Sequence, residues 1–325
     1  MAEMSVIEHG EGGGPEVLTP GSREVPTPGV DEVLIRVTAA GINGPDLMQR
    51  RGLYPAPKGA SDLLGLEVSG EVAALGEGAG RWEVGDRVCA LTNGGGYAEY
   101  VAVRADHCLP IPPGVTETDA AGLCETYFTV WSNVFHDHDV PEGGNFLVHG
   151  GAGGIGSTAI QLGAARGLNV YATEGSAEGL AFCRDLGATR AIDYNAEDFV
   201  AIVKEAGGAD LILDIVGGDY IARNIKAARH DARIIQLAFN KGSTVEVNLM
   251  PVMLKRLTYT GSTLRTRSDA FKATVARELE RQVWPLFATG RLRTVTHTVL
   301  PLAEAAKGHA MMEAAGHRGK ILLAP

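Results

Sequence analysis

No run of apolar residues in this 325-residue chain approaches the roughly 20 that a membrane-crossing helix needs. The first residues, Met1-Ala2-Glu3-Met4-Ser5, lack the basic region and apolar stretch of a secretion signal. Cysteine is scarce. Cys89, Cys108, Cys124 and Cys183 are far apart and form no CxxC pair, which argues against a disulfide framework and against a structural zinc site. They read as free, mostly buried thiols of a reducing cytoplasm. Positive charge is in deficit as well: 29 Lys+Arg against 39 Asp+Glu give a net charge of −10. That balance works against non-specific binding to nucleic acid or to an anionic membrane surface.

What the chain has in abundance is glycine. There are 43 glycines in 325 residues, against a usual share of roughly 7%. No G-X-Y period accompanies them, so collagen is excluded. A hydrophobic content of 45% and a charged content of 21% exclude general disorder. The expectation is a compact protein with many tight turns. At roughly 150 residues per domain its length suits two domains.

The first 120 residues read as β-rich. Val33-Leu34-Ile35-Arg36-Val37 is a short apolar strand, and Glu67-Val68-Ser69-Gly70-Glu71-Val72 alternates apolar with polar. Turn signals at Gly85-Asp86 and Gly94-Gly95-Gly96 lead into further strands, a spacing that suggests a barrel or sandwich. From about residue 120 the texture changes to alternating strands and helices. Phe146-Leu147-Val148, Val170-Tyr171-Ala172, Ala191-Ile192 and residues 211–216 and 233–237 read as strands, with helices over residues 157–166 and 177–186. Nearly continuous apolar strands are buried on both faces, as in a parallel sheet covered by helices. After residue 264 the closing strand Lys320-Ile321-Leu322-Leu323 needs a sheet to join, and the first domain is the expected one. The predicted organisation is residues 1–122 as a β-barrel domain, 123–264 as a doubly wound α/β domain, and 265–325 as a return to the first.

The strongest motif is Gly151-Ala152-Gly153-Gly154-Ile155-Gly156, a GxGxxG that follows a strand and opens a helix. The first glycine is expected to make the tight turn, the second to let backbone approach a pyrophosphate, and the third to let helix and strand pack closely. The helix N-terminus then offers unpaired N–H groups to phosphate. Twenty-one residues beyond Gly153, Glu174 stands at the predicted end of the second strand, where an acidic residue binds a ribose 2′-hydroxyl and repels a 2′-phosphate. A solvated loop glutamate is the alternative reading.

The chain resembles the zinc-independent quinone oxidoreductases of the medium-chain dehydrogenase/reductase superfamily, most of all the p53-inducible quinone reductase type and its bacterial relatives. The similarity is carried by Ala40-Gly41-Ile42-Asn43-Gly44-Pro45-Asp46, Gly52-Leu53-Tyr54-Pro55, Gly65-Leu66-Glu67-Val68, the Gly151 to Gly156 loop, Leu186-Gly187-Ala188, Ser262-Thr263-Leu264-Arg265 and Gly319-Lys320-Ile321. It implies a GroES-like catalytic domain, an inserted Rossmann domain and a homodimer. By the same resemblance Asn43, Asp46 and Tyr54 line the substrate cleft near the nicotinamide, and Thr129 hydrogen-bonds its carboxamide. Ser176 and Tyr194 match adenosine-phosphate contacts, Lys320 a basic residue close to the cofactor, and Phe239 and Leu264 further cofactor neighbours. Asn43 and Asp46 have an alternative as caps beside Pro45, Tyr54 as a packing residue, and Lys320 as an exposed strand lysine.

Two departures sharpen the expectation. Zinc-dependent cousins hold their metal with cysteine, histidine and cysteine, where this chain has Asn43, Leu66 and Glu125. NADPH-using relatives carry a lysine where Gly179 stands in Ser176-Ala177-Glu178-Gly179. The resemblance implies NADPH, whereas Glu174 and Gly179 favour NADH. The expected reaction is NAD(P)H-dependent reduction of a quinone or other small electrophile, by hydride or single-electron transfer. Rival readings are an enone or enal reductase on the same scaffold and a non-catalytic, crystallin-like nucleotide binder.

Overall fold

The computed structural model describes residues 2–138 and 140–325. The chain divides into two compact units, one formed by Met1–Phe128 with Arg265–Pro325 and the other by Thr129–Leu264. Among the described residues no helix is long and apolar enough to cross a membrane. All four cysteines are free and buried.

The first unit is built on a seven-stranded sheet centred on the strand Glu32–Gly41. This strand pairs antiparallel with Glu67–Leu75, with Tyr100–Arg104 and with the last strand, Lys320–Ala324, which sets Leu322 opposite Gly41 and Leu323 opposite Ala40. The alternation read over residues 67–72 is not the burial pattern observed, since Glu67, Val68, Ser69 and Gly70 are all buried and only Glu71 is partly open. Val33, Ile35, Val68, Val72, Val88 and Leu323 point into one apolar core and are sealed from solvent. Each such side chain stabilises the unit by about 1.5–3 kcal/mol. The unit also keeps the helix start that the sequence places after residue 122. The helix Cys124–Val130 is held by Glu125 N donating to Glu67 Oε2 at 2.8 Å, and by the Tyr127 ring packing on Trp284 and Phe287. Residues 123–128 therefore pack with the first unit, although the β-type pattern stops earlier.

The second unit is a six-stranded, all-parallel sheet in the order Arg190–Asp193, Asn169–Glu174, Asn145–His149, Ala209–Asp214, Ala228–Gln236, Thr258–Gly261. Numbered along the chain this is 3-2-1-4-5-6, the doubly wound order, and it reverses between Asn145–His149 and Ala209–Asp214. Helices cover the sheet, which accounts for strands apolar on both faces. A buried polar chain ties the carboxyl ends of its central strands together. Asn224 Nδ2 donates to Asp214 Oδ2 (2.9 Å), so Asn224 Oδ1 accepts from His149 Nε2 (2.8 Å) and His149 Nδ1 accepts from the Thr173 hydroxyl (2.9 Å). Burial lowers the His149 pKa, which keeps the ring neutral. This chain anchors the residue immediately before the glycine loop.

Candidate functional site

In the second unit the strand Asn145–His149 runs into the loop and then into the helix Gly154–Ala165, whose N-cap is Gly153 with no side chain capping it. The tight turn falls one residue earlier than the motif suggests. Gly150 has φ +71°, a left-handed conformation, whereas Gly151 does not. Gly151 is required by packing instead: a Cβ there would stand 2.6 Å from Cys183 Sγ and 3.0 Å from the Ala172 Cβ. Gly156 has the role expected of it, since a Cβ there would overlap the Gly150 carbonyl oxygen. Helix and loop thus approach closely, and the first-turn amides of residues 154–156 have no side-chain cap, an arrangement that suits a phosphate.

Glu174 closes the strand Asn169–Glu174 and turns back on this loop. Its Oε2 accepts from Ala152 N (3.2 Å) and its Oε1 from Gly175 N (2.8 Å), so it is a fixed carboxylate rather than a solvated one. Ser176 caps the helix Ala177–Asp185, its hydroxyl accepting from Gly179 N at 3.0 Å. Tyr194 is bonded through its N–H to Glu174 O (3.2 Å), and its ring lies against the Gly175 backbone. Gly179 is buried under Glu174: a Cβ on it would be 2.5 Å from Glu174 Cγ and 2.8 Å from Ser176 Oγ. Loop, Glu174, Ser176, Gly179 and Tyr194 are therefore neighbours in one cluster. Phe239 is exposed just beyond the strand Ala228–Gln236, and Leu264 is buried at the close of the unit. Thr129 opens the unit, its carbonyl accepting from Asn133 Nδ2 at 2.8 Å.

In the first unit Asn43, Asp46 and Lys320 converge with Glu67, which the sequence had not linked to them, and with Glu125, which it had placed only at a metal-ligand position. Asn43 precedes the helix Gly44–Arg50, and Asp46 closes its first turn. Asp46 is fully buried and accepts from Asn43 N (2.8 Å) and Gly65 N (3.0 Å). Both its oxygens are thus engaged by backbone, the capping arrangement. Burial raises the Asp46 acid to about 6, against those two hydrogen bonds and the Lys320 charge, which lower it.

Lys320 is likewise not an exposed strand lysine. Its ammonium is buried and donates to Asn43 Oδ1 (2.5 Å) and Ile42 O (3.1 Å), and it pairs with Glu67 Oε1 at 2.8 Å. Glu67, sealed from solvent, also accepts from Asn43 Nδ2 (2.9 Å) and Glu125 N (2.8 Å). These are the positions at which a zinc ion would have to be held, and they do not fit one. Asn43 and Leu66 supply neither thiolate nor imidazole, and the Lys320 ammonium already neutralises the Glu67 carboxylate bonded to the Asn43 side chain.

Around this cluster lie further cations. Arg265 donates to Asn93 O (2.6 Å) and Gln49 Oε1 (2.6 Å), and its guanidinium lies 5.7 Å from the Tyr54 ring centroid. Lys272 donates to Asn93 Oδ1 (2.7 Å) and Arg265 O (2.9 Å). Beneath them Arg50 Nη1 donates to His309 Nδ1 (3.2 Å), because arginine has no acceptor, so His309 Nε2 carries the hydrogen toward the Tyr97 oxygen (3.0 Å). Burial and the neighbouring Arg50 push the His309 pKa down to about 3, keeping it neutral. Tyr97→Phe strands that buried N–H, and we expect it to destabilise the protein by about 1–3 kcal/mol. Urea denaturation at pH 7 measures it, and an unchanged midpoint would refute the assignment.

With this geometry in hand, known proteins give the context. A family model described as "Alcohol dehydrogenase GroES-like domain" matches residues 29–113, and one described as "Zinc-binding dehydrogenase" matches residues 154–281. Human quinone oxidoreductase is 30% identical over 98% of this chain and 97% of its own length. A mycocerosic acid synthase-like polyketide synthase of Mycobacterium tuberculosis is 31% identical over 99% of this chain, which spans 16% of that much longer protein. The crystal structure of Escherichia coli quinone oxidoreductase complexed with NADPH superposes with a TM-score of 0.88 at 27% identity, covering 99% of this chain and 100% of the other. The chain therefore belongs to the medium-chain dehydrogenase/reductase superfamily, with quinone oxidoreductases among its full-length relatives, and is an oxidoreductase that binds a nicotinamide cofactor.

Proposed function

We propose that the protein reduces quinones at the expense of a reduced nicotinamide, without a metal. The observation that carries this reading is the Lys320 ammonium lodged between Asn43 and Glu67. An alcohol or ketone has to be polarised at its oxygen, which a metal at these positions would do, whereas a quinone is already electrophilic and needs mainly to be positioned. When bound, the dihydronicotinamide supplies the reducing equivalents. The chain's part is to bind and orient: the amides of residues 154–156 hold the pyrophosphate, Glu174 the adenosine ribose, and Tyr194 flanks it. In the first unit Asn43 and Tyr54 face the substrate. A steady-state screen of 1,2-naphthoquinone against a 2-alkenal, with NADH and NADPH each, tests the reading. Faster turnover of the alkenal makes the protein an enal reductase instead. Cofactor binding with no turnover of either leaves it a nucleotide binder.

The same site supports NADH as a cofactor at least as good as NADPH. Glu174 ends the second strand, where an acidic residue suits a ribose 2′-hydroxyl and repels a 2′-phosphate, and Gly179 offers no cation to offset it.

A homodimer is the assembly that suits the second unit. The edge strand Thr258–Gly261 and the short helix Met250–Leu254 leave Leu249, Met250, Met253 and Leu254 all more than half exposed. Contiguous apolar surface beside an open strand edge marks an interaction surface. Light scattering should give twice the chain mass for the native protein and a monomer for Met253→Asp/Leu254→Glu. A native monomer refutes the assembly.

A further inference from the structure

We propose that Glu125 is the proton donor of the reaction, the acid that completes the reduced substrate. The inference rests on the reductase reading above and adds to it the residue that moves the second hydrogen. Reduction passes two electrons and one hydrogen from the dihydronicotinamide to a quinone, leaving a hydroquinone monoanion. The remaining hydrogen has to arrive as a proton.

Every other charged group of the first-unit cluster is committed elsewhere. The Asp46 oxygens take two backbone amides. Those of Glu67 take Asn43, Lys320 and the Glu125 main chain. Lys320 is spent on Ile42, Asn43 and Glu67, and Lys272 on Asn93 and Arg265. Glu125 differs. Its main-chain N–H is pinned to Glu67 Oε2, which fixes where its side chain starts, while among the described residues its carboxyl makes no hydrogen bond. The residue is nine-tenths buried, yet its oxygens are not among the sealed atoms, so the carboxyl keeps a solvent-facing side. It also sits in the same cluster as Asn43, which faces the substrate in our reading, joined to it through the Glu67 carboxylate.

Its surroundings favour the acid form. Burial first, then the Glu67 carboxylate, push the Glu125 pKa up to about 8. Asp46 adds to the rise, while Lys320 and Lys272 oppose it. Arg265 is a further cation whose charge interacts with Glu125. At neutral pH Glu125 therefore holds a proton, and its acidity is close to the working pH, where general acids are most effective. In the step itself the Glu125 O–H bond breaks and an O–H bond forms on the hydroquinone monoanion. The carboxylate left behind recovers a proton from water through its exposed side. The sum is quinone, reduced nicotinamide and one proton giving hydroquinone and oxidised nicotinamide.

Because the acid form is the active one, kcat in the native protein should fall as pH rises through about 8. Glu125→Gln keeps the shape and removes the proton. It should lower kcat roughly 10²–10⁴-fold, abolish that alkaline limb, and leave the NADH dissociation constant unchanged by fluorescence. Glu125→Asp should restore part of the rate together with an alkaline limb. A Glu125→Gln enzyme within threefold of native kcat, or one that retains the limb, overturns the proposal. A second readout does not depend on turnover. In infrared difference titration a protonated-carboxyl band should persist through pH 7, vanish as the pH is raised past 8, and be missing from Glu125→Gln. If the native protein reduces no electrophile, the reductase reading fails by itself. Loss of the Glu125 band already at pH 6 overturns the proton donor whether or not turnover is seen.

Discussion

Glu67→Leu should cost about 3–5 kcal/mol of folding stability, the usual penalty for removing one partner of a buried ion pair. Glu67 is sealed from solvent and accepts three donors: the Lys320 ammonium, the Asn43 amide and the Glu125 main chain. Without it the ammonium stays buried against neutral oxygens alone, and two further donors lose their acceptor. Lys320→Met should be costly for the complementary reason, since the carboxylate then stays behind unneutralised. The informative variant is the double one. Removing both charges together leaves neither stranded, and hydrophobic replacement of a buried pair is often close to neutral. Urea unfolding of the four proteins at pH 7 should show the double variant at least about 2 kcal/mol more stable than the sum of the single losses predicts. Losses that add to within about 0.5 kcal/mol would mean that the pair is not coupled.

The second large effect concerns cofactor choice. A single Gly179→Lys substitution, which puts a cation back at this position, should fail. The new Cβ would stand 2.5 Å from Glu174 Cγ and 2.9 Å from Glu174 Cδ, and Glu174 is held in place by Ala152 N and Gly175 N. The carboxylate and the glycine are one feature: the side chain at 174 fills the space that a side chain at 179 would need. Glu174→Ser/Gly179→Lys removes the Glu174 part of that overlap, leaving the Ser176 hydroxyl to turn aside, and replaces an anion by a cation. One charge-assisted contact to a phosphate is worth about 1.5–3 kcal/mol, so the ratio of kcat/KM for NADPH over NADH should rise roughly ten- to a hundred-fold. Initial rates with both cofactors decide it. Equal gains from the single and double variants would show that the two positions act independently.

How much of this was legible in the sequence differs by element. The second unit was readable almost strand by strand, because apolar runs and intervening helices are local signals, and the glycine loop lies within six consecutive residues. Reading Gly151 as the tight turn missed Gly150 because the motif marks spacing and not φ. The edge of the first unit was drawn after residue 122, where the β pattern stops. Packing carries it to Phe128 through contacts with Glu67, Trp284 and Phe287, which no local pattern shows. The charge cluster was the least legible part. Asn43, Asp46 and Lys320 were singled out one at a time, and Glu125 only as the stand-in for a metal ligand. Glu125 lies 58 residues from Glu67, and Lys320 lies 277 from Asn43. Such contacts exist only once the sheet brings the strand Lys320–Ala324 beside Glu32–Gly41. Nor does sequence show that Asp46 spends both oxygens on backbone amides.

That pairing of an early strand with a very late one also sets an order of events during synthesis. The second unit is a continuous stretch of chain, so it emerges whole and has all six of its strands in hand. The first unit does not. Its central sheet waits for Thr296–Pro301 and Lys320–Ala324, and until the latter arrives Glu67 has no cation to bury against. Domains generally fold as units while the chain is being made, and contacts of long sequence separation form slowly. The cofactor-binding unit is therefore expected to mature first. The half-built sheet of the other unit, with its apolar face and one open edge, is the species most exposed to aggregation and to chaperones on the ribosome.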